Sequence, residues 1–264
     1  MSFFCTIASG SKGNAAILSY GSTNLLIDAG ISCRRLTEEL KKFDIKLSDL
    51  SAVIVTHEHS DHIKGIKTLY HRTAIPIYMS VGTACSVEAS HPFIHKAAGV
   101  FYAGDQFEIG EIGVETFSTP HDAADSVGFR FYAGHSTLGY ATDLGHITPE
   151  IKGKLMGTEC LFIESNHDLF SLLQGPYPEF LKRRILGRRG HLSNDDCADL
   201  VADAVRHGAR RITLCHLSDQ NNTPELAVKA TMGVLEALDI SKSNHPVVDV
   251  APPNSIGTPY FFEK

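Results

Sequence analysis

The segment Val53-Ile54-Val55-Thr56-His57-Glu58-His59-Ser60-Asp61-His62 constrains this chain more than any other stretch. An apolar, β-branched run reads as a buried strand, and it breaks off abruptly into three histidines and two acids. Strand ends in open α/β sheets are where ligands collect, because the backbone is fixed there while the side chains stay accessible. Imidazole and carboxylate are ligands for borderline divalent metals, and catalytic sites keep one coordination position for water. In the spacing His-x-His-x-Asp-His, His57 and His59 suit one ion, and Asp61 and His62 a neighbouring one. The plain alternative is a polar loop rich in histidine. Four ligand-type residues in this order, directly after a strand, set it aside.

Three further segments repeat the pattern of a β-like run ending in a ligand-type residue. They are Thr116-Phe117-Ser118-Thr119-Pro120-His121, Gly139-Tyr140-Ala141-Thr142-Asp143 and Ile212-Thr213-Leu214-Cys215-His216. Taken singly, His121 or His216 reads as a structural histidine, and Asp143 as a turn or capping residue. Taken in order after the first motif, they resemble the metallo-β-lactamase superfamily, which has a lone His, a metal-bridging Asp and a late His at such positions. The resemblance extends over nearly the whole chain. It implies an α/β fold of four layers, αββα, with two mixed sheets packed face to face and helices outside.

Length and composition agree with one domain over residues 1–264, since 43% hydrophobic content supports a substantial core. Six cysteines are scattered without a C-x-x-C pair, so no zinc ribbon or thioredoxin-like site is indicated, and several read as buried thiols. The N-terminus lacks a basic n-region followed by a long apolar stretch, and no apolar run approaches the roughly 18 residues that span a bilayer. A cytoplasmic protein without a membrane partner is the expectation.

Along the chain, strands are expected at Phe3 to Ala8, Ala15 to Ser19 and Asn24 to Ile27, the last stopping at Asp28, then a helix from Arg34 to Phe43. A helix near Lys64–His71, a strand at Pro76–Met79 and a helix near Val81–Glu88 follow. The middle reads as β-rich, with strands at Gln106–Ile109, Gly113–Ser118, Val127–Tyr132, Thr137–Thr142 and Cys160–Glu164. Between Asp143 and His191 only one helix, one strand and another helix are expected, which leaves no room for the added β-CASP domain of one nuclease branch. Ser193 with Asp196 opens a helix whose apolar positions Cys197, Leu200, Val201, Ala204 and Val205 share one face. Thr223-Pro224-Glu225 opens the last helix.

Five basic side chains, Lys182, Arg183, Arg184, Arg188 and Arg189, gather in a chain of formal net charge −6. Whole-chain attraction to nucleic acid is thereby excluded, but a local patch suffices to meet phosphate. A solvated helix face is the alternative. Gly190-His191-Leu192-Ser193 and His216-Leu217-Ser218 are similar to the C-terminal motifs of RNase Z-type phosphodiesterases, where the first His lies near the scissile phosphate and the second binds metal. The small-residue loop Ser9-Gly10-Ser11-Lys12-Gly13-Asn14 suits an anion, with Ser11 and Asn14 adding side-chain contacts. With these stretches included, the chain resembles the bacterial WalJ/YycJ group of the superfamily.

That resemblance implies a metal-dependent phosphodiesterase, a DNA exonuclease acting 5′ to 3′ on duplex DNA. Two divalent transition ions (Mn²⁺, Zn²⁺ or Fe) are implied, held by His57, His59, Asp61, His62, His121, Asp143 and His216, with a metal-bridging hydroxide as nucleophile. Asp61 and His191 are the expected catalytic residues; Ser11, Asn14, Arg188 and Arg189 are expected to touch substrate. Glu164 and His167 are candidates to support the ligands from behind, and His146 is a supporting or surface residue. Alternatives are an RNA-directed nuclease and a thioester or lactone hydrolase of the glyoxalase II type. The basic stretch speaks against the second of these.

Overall fold

The computed structural model describes residues 2–239 and 246–262. The chain groups into two compact units, the first built from residues up to Thr116 with Ala123–Val127 and the segment from Pro252, the second from Phe117–Asp122 and Gly128–Ala251.

In the first unit β1 (Phe3–Ala8), β2 (Ala15–Tyr20) and β3 (Thr23–Ile27) form an antiparallel meander. β4 (Ala52–Ile54), β5 (Ile77–Ser80) and β6 (Ala98–Phe101) then extend the sheet in parallel, each entered through a helical crossover. These crossovers hold α1 (Cys33–Leu40), α2 (Ser60–Ile63), α3 (Ile66–Thr73), α4 (Val81–Val87) and α5 (Ile94–Ala97). α1 is short and capped by Ser32, whose hydroxyl accepts from Arg35 N, and it buries Cys33, Leu36 and Leu40 along one face. Val53 and Ile54 are wholly buried, as an interior parallel strand requires. A hairpin of β7 (Gln106–Ile109) and β8 (Ile112–Ser118) follows. The last strand, named β14 (Tyr260–Phe261), returns antiparallel to β1.

In the second unit, which takes up β9 (Val127–Ala133) from Gly128 onward, β9 and β10 (Ser136–Ala141) are antiparallel. β11 (Cys160–Glu164), β12 (Arg211–Cys215) and β13 (Val247–Val250) continue from β10 in parallel. α6 (Pro149–Leu155) carries the crossover into β11. α7 (Leu169–Gln174), α8 (Glu179–Ile185) and α9 (Asn194–Arg206) lie between β11 and β12. α10 (Pro224–Ala237) lies beyond β12. α9 begins at the Ser193 cap and buries Cys197, Leu200, Val201, Ala204 and Val205 in one core with Leu161, Ile163, Ile212 and Leu214 of the strands. Thr223 caps α10, with Pro224 in the first turn where no N–H is needed.

Two mixed sheets flanked by helices therefore make an α/β chain, as the alternation of patterns implied. Two expectations are corrected. Between β11 and His191 stand two helices, α7 and α8, because Gly175-Pro176-Tyr177-Pro178 supplies two prolines that cannot continue a helix. The helix expected near Lys64 is also preceded by the single turn α2, so Asp61 and His62 belong to a helix rather than a loop.

Candidate metal centre

In the first unit the parallel register Ile27↔Ile54 brings the ends of β3 and β4 to the same edge of the sheet. Asp28 follows β3 with a left-handed backbone, φ 59°, a region that Asp tolerates better than most residues. Its carboxylate is fully buried and folds onto the start of the histidine motif: Thr56 N donates to Oδ1 at 2.8 Å, and His62 Nδ1 to Oδ2 at 2.8 Å. This contact places the Nδ1–H of His62 toward Asp28 and leaves Nε2, on the other edge of the ring, as the nitrogen that could coordinate a metal. The Thr56 hydroxyl lies 3.0 Å from His57 Nδ1, and the His57 ring stands 4.6 Å from that of His59 and 4.1 Å from that of His62, centre to centre.

Asn14 anchors the same group from the loop before β2. Its backbone N donates to Asp61 O at 2.7 Å and its Nδ2 to Asp61 Oδ2 at 3.1 Å, while its Oδ1 accepts from Gly10 N at 2.9 Å. Nδ2 also lies 3.0 Å from His62 Nε2. Glycine at position 30 is what allows this closeness, since a Cβ there would fall 1.6 Å from Asp61 O. Asn14 is thus buried against the motif, whereas Ser11 is exposed at the tip of its loop.

In the second unit β10, β11 and β12 end together, through the registers Ala141↔Ile163 and Ile163↔Leu214. Asp143 and His216, just past β10 and β12, both adopt positive φ, 58° and 53°. Glu164, the last residue of β11, is fully buried and accepts four hydrogen bonds. Oε1 takes one from His191 Nδ1 and one from His216 Nδ1, both at 2.8 Å; Oε2 takes Leu144 N at 2.6 Å and Leu192 N at 3.2 Å. Burial works against its charge, but the His191 imidazole and the hydrogen bonds from both histidines prevail and hold its pKa down to about 2. With both oxygens engaged, Glu164 fixes the orientation of the two imidazoles. Burial likewise opposes charge on His191, yet Glu164 and Asp143 keep its pKa above the ordinary imidazole value.

His121 donates from Nδ1 to Gly190 O at 3.1 Å, which leaves Nε2 facing Asp143 Oδ1 at 3.6 Å. Burial pushes its pKa down, favouring the neutral ring, the form able to ligate a metal. Asp143, Glu164, His191 and His216 each present a donor atom within 4.8 Å of the others. Imidazoles with anchored Nδ1 atoms beside a buried aspartate fit a divalent metal.

The basic stretch is tied into this unit. Arg184 donates to Asp122 Oδ2 at 2.6 Å, and Arg189 Nε to His121 O at 2.7 Å. His146 donates from Nδ1 to Arg188 O at 2.9 Å, and Arg188 Nη2 lies 3.1 Å from its Nε2. Arg188 and Arg189 are both exposed. His167 is buried, and neither of its ring nitrogens has a hydrogen-bond partner among the described residues. Two residues that shape the site were not singled out from sequence. Asp28 carried its signal in standing at a strand end; Asn166, which donates to His216 O at 2.8 Å, carried none.

Residues 23–217 match the model of the beta-lactamase superfamily domain. The chain belongs to the metallo-β-lactamase superfamily, and the candidate donor cluster accords with divalent metal binding. Within it, the chain is 37% identical to the exodeoxyribonuclease YycJ of Bacillus anthracis, covering 88% of this chain and 89% of that one. It is 33% identical to the exodeoxyribonuclease WalJ of Streptococcus pneumoniae, covering 94% of each. Among solved structures, the metallo-β-lactamase fold protein YhfI of Bacillus subtilis matches with a TM-score of 0.70 at 17% identity, over 98% of this chain and 100% of that chain. No helix among the described residues is long and apolar enough to cross a membrane.

Proposed function

We propose that this protein is a metal-dependent exonuclease that hydrolyses phosphodiester bonds of DNA, with 5′ to 3′ action on duplex ends. The observation that carries the reading is the Glu164 bridge, one buried carboxylate that orients both His191 and His216. A site built for metal alone needs His216 anchored; anchoring a second imidazole beside it provides a group for the substrate. The names of the two relatives, which span most of the chain, support the same reading.

His57, His59, Asp61 and His62 of the first unit, with His121, Asp143 and His216 of the second, are the residues that would hold two divalent ions, Mn²⁺, Zn²⁺ or Fe. Bound there, the ions supply a water of lowered pKa and neutralise charge on the attacked phosphoryl group. Asp61, held by Asn14, keeps its carboxylate ready to orient that water. His191, fixed through Nδ1, offers Nε2 to the phosphoryl or departing oxygen. The N-terminus of α9 is already answered by Ser193 and by Asp195 and Asp196 in its first turn, so His191 rather than the helix end meets the phosphate. Ser11, Arg188 and Arg189 would contact the backbone, and Asn14 would act through Asp61. The protein would work in the cytoplasm.

Digestion of end-labelled duplex DNA, single-stranded DNA and RNA with added Mn²⁺ or Zn²⁺ tests this. Release of nucleotides from the 5′ end of duplex DNA, abolished by a chelator and restored by metal, is expected. Metal-loaded protein that spares DNA and RNA but cleaves a thioester would replace this reading with the acyl hydrolase.

A further inference from the structure

Phe170 and Phe180 are each 73% exposed, more than any other large hydrophobic side chain among the described residues. Leu169, Leu173 and Leu186 are exposed as well, so five such side chains fall within α7, α8 and the residue after α8. Leu169, Phe170 and Leu173, spaced i, i+1 and i+4, share the outer side of α7. Phe180 shares a side of α8 with Arg183 and Arg184, three and four residues on. The two helices are joined, because Lys182 Nζ donates to Leu173 O at 2.6 Å across the Gly175–Pro178 break. Arg183 is exposed and makes no ion pair among the described residues, unlike Arg184.

This surface is fixed to the chemistry of its own unit. His191 N donates to Ile185 O at 3.0 Å, so the last turn of α8 is bonded directly to the backbone that carries the proposed catalytic imidazole. Apolar side chains so exposed mark a contact surface. The occupant is indicated by what accompanies them. The exposed Arg183 lies within one helical turn of the exposed Phe180 ring, on the helix whose end is bonded to the backbone of His191. That pairing matches a nucleic-acid strand, whose bases stack on rings while its phosphates take arginine.

We infer that α7 and α8 form a platform for the unpaired end of a DNA strand, with Phe170 and Phe180 stacking on bases and Arg183 on a phosphate. The platform rests on the nuclease reading above and adds to it a place where strands separated at a duplex end are held apart.

The test uses the metal-loaded full chain and a duplex with a short single-stranded tail carrying 2-aminopurine at its first unpaired position. Stacking on the wild-type protein should change the 2-aminopurine emission. Phe170→Leu/Phe180→Leu keeps apolar bulk but removes the rings; it should abolish that change and raise Kd for the tailed duplex about tenfold or more. Phe170→Tyr/Phe180→Tyr should restore both. Arg183→Gln should weaken binding to all sequences and reduce its salt slope by about one. Metal content and melting temperature should stay as in wild type. A leucine variant that binds and digests DNA like wild type would overturn the platform while leaving the nuclease reading intact, as would one that merely loses self-association in light scattering. Wild-type protein that neither binds nor digests DNA would overturn the nuclease reading and the platform together.

Discussion

Glu164→Gln tests how the second unit orients its histidines. Glutamine fills the same space with one oxygen and one NH₂ where Glu164 accepts from four donors. If its oxygen keeps the two imidazoles, the NH₂ confronts Leu144 N and Leu192 N, and two buried donors lose their acceptor. If the amide flips, the imidazoles lose theirs. Each buried donor left unsatisfied costs about 1–3 kcal/mol, so either arrangement costs about 2–6 kcal/mol. At about 2–4 °C per kcal/mol for a chain of this size, the metal-free variant should melt roughly 5–20 °C below wild type. Metal affinity, read by competition with a chromophoric chelator, should fall about 10–100-fold, the scale for losing a partner behind a ligand. A variant that melts within about 2 °C of wild type and binds metal equally well would refute the role given to Glu164.

His191→Ala should keep the wild-type metal content by elemental analysis yet digest DNA slower by about 10²-fold or more, whereas His216→Ala should lose metal too. Thiol labelling of the native protein should modify Cys85 alone at a fast rate: it is the exposed cysteine, while burial pushes Cys5 and Cys197 up to about 12 and raises Cys160 and Cys215 as well. Denaturant should release all six thiols. The hydrogen bond from Lys152 holds the Asp203 pKa below its ordinary value, so its stabilisation is present above the ordinary value and lost as pH falls through the folded one. Being partly exposed, the pair contributes no more than about 1 kcal/mol. Asp203→Asn should thus melt slightly lower than wild type at neutral pH and equally in strong acid.

Most strands and the capped helices were legible because their signals are local. Ser193 and Thr223 cap where the sequence placed caps, and β1 and β11 have the ends that their apolar runs implied. The turn of α2 was not, since a histidine motif after a strand carries no apolar period to announce a helix. α5 and β6 were missed because Ile94 to Phe101 packs both elements into eight residues, too few for either period to emerge. The candidate ligands stood out by residue type, but what holds them did not. Asp28 and Asn14 meet the motif from other strands and loops, and only the sheet register brings them there.

That register also explains why both units hold a histidine in the same way. Neighbouring parallel strands finish at one edge, so a carboxylate ending one strand lies beside the residue that follows the next. In the first sheet Ile27↔Ile54 sets Asp28 against Thr56, and His62 reaches back to the same carboxylate. In the second, Glu164↔Cys215 sets Glu164 against His216. Each anchor is wholly buried, where a carboxylate persists only if hydrogen bonds satisfy it, and backbone N–H groups supply part of that requirement in both cases. An imidazole fixed in this manner has its tautomer set and its other nitrogen made more basic. Each unit therefore orients donors with contacts made inside itself, and the left-handed backbone at Asp28 and His216 is the local strain, of order 1 kcal/mol each, that this arrangement requires.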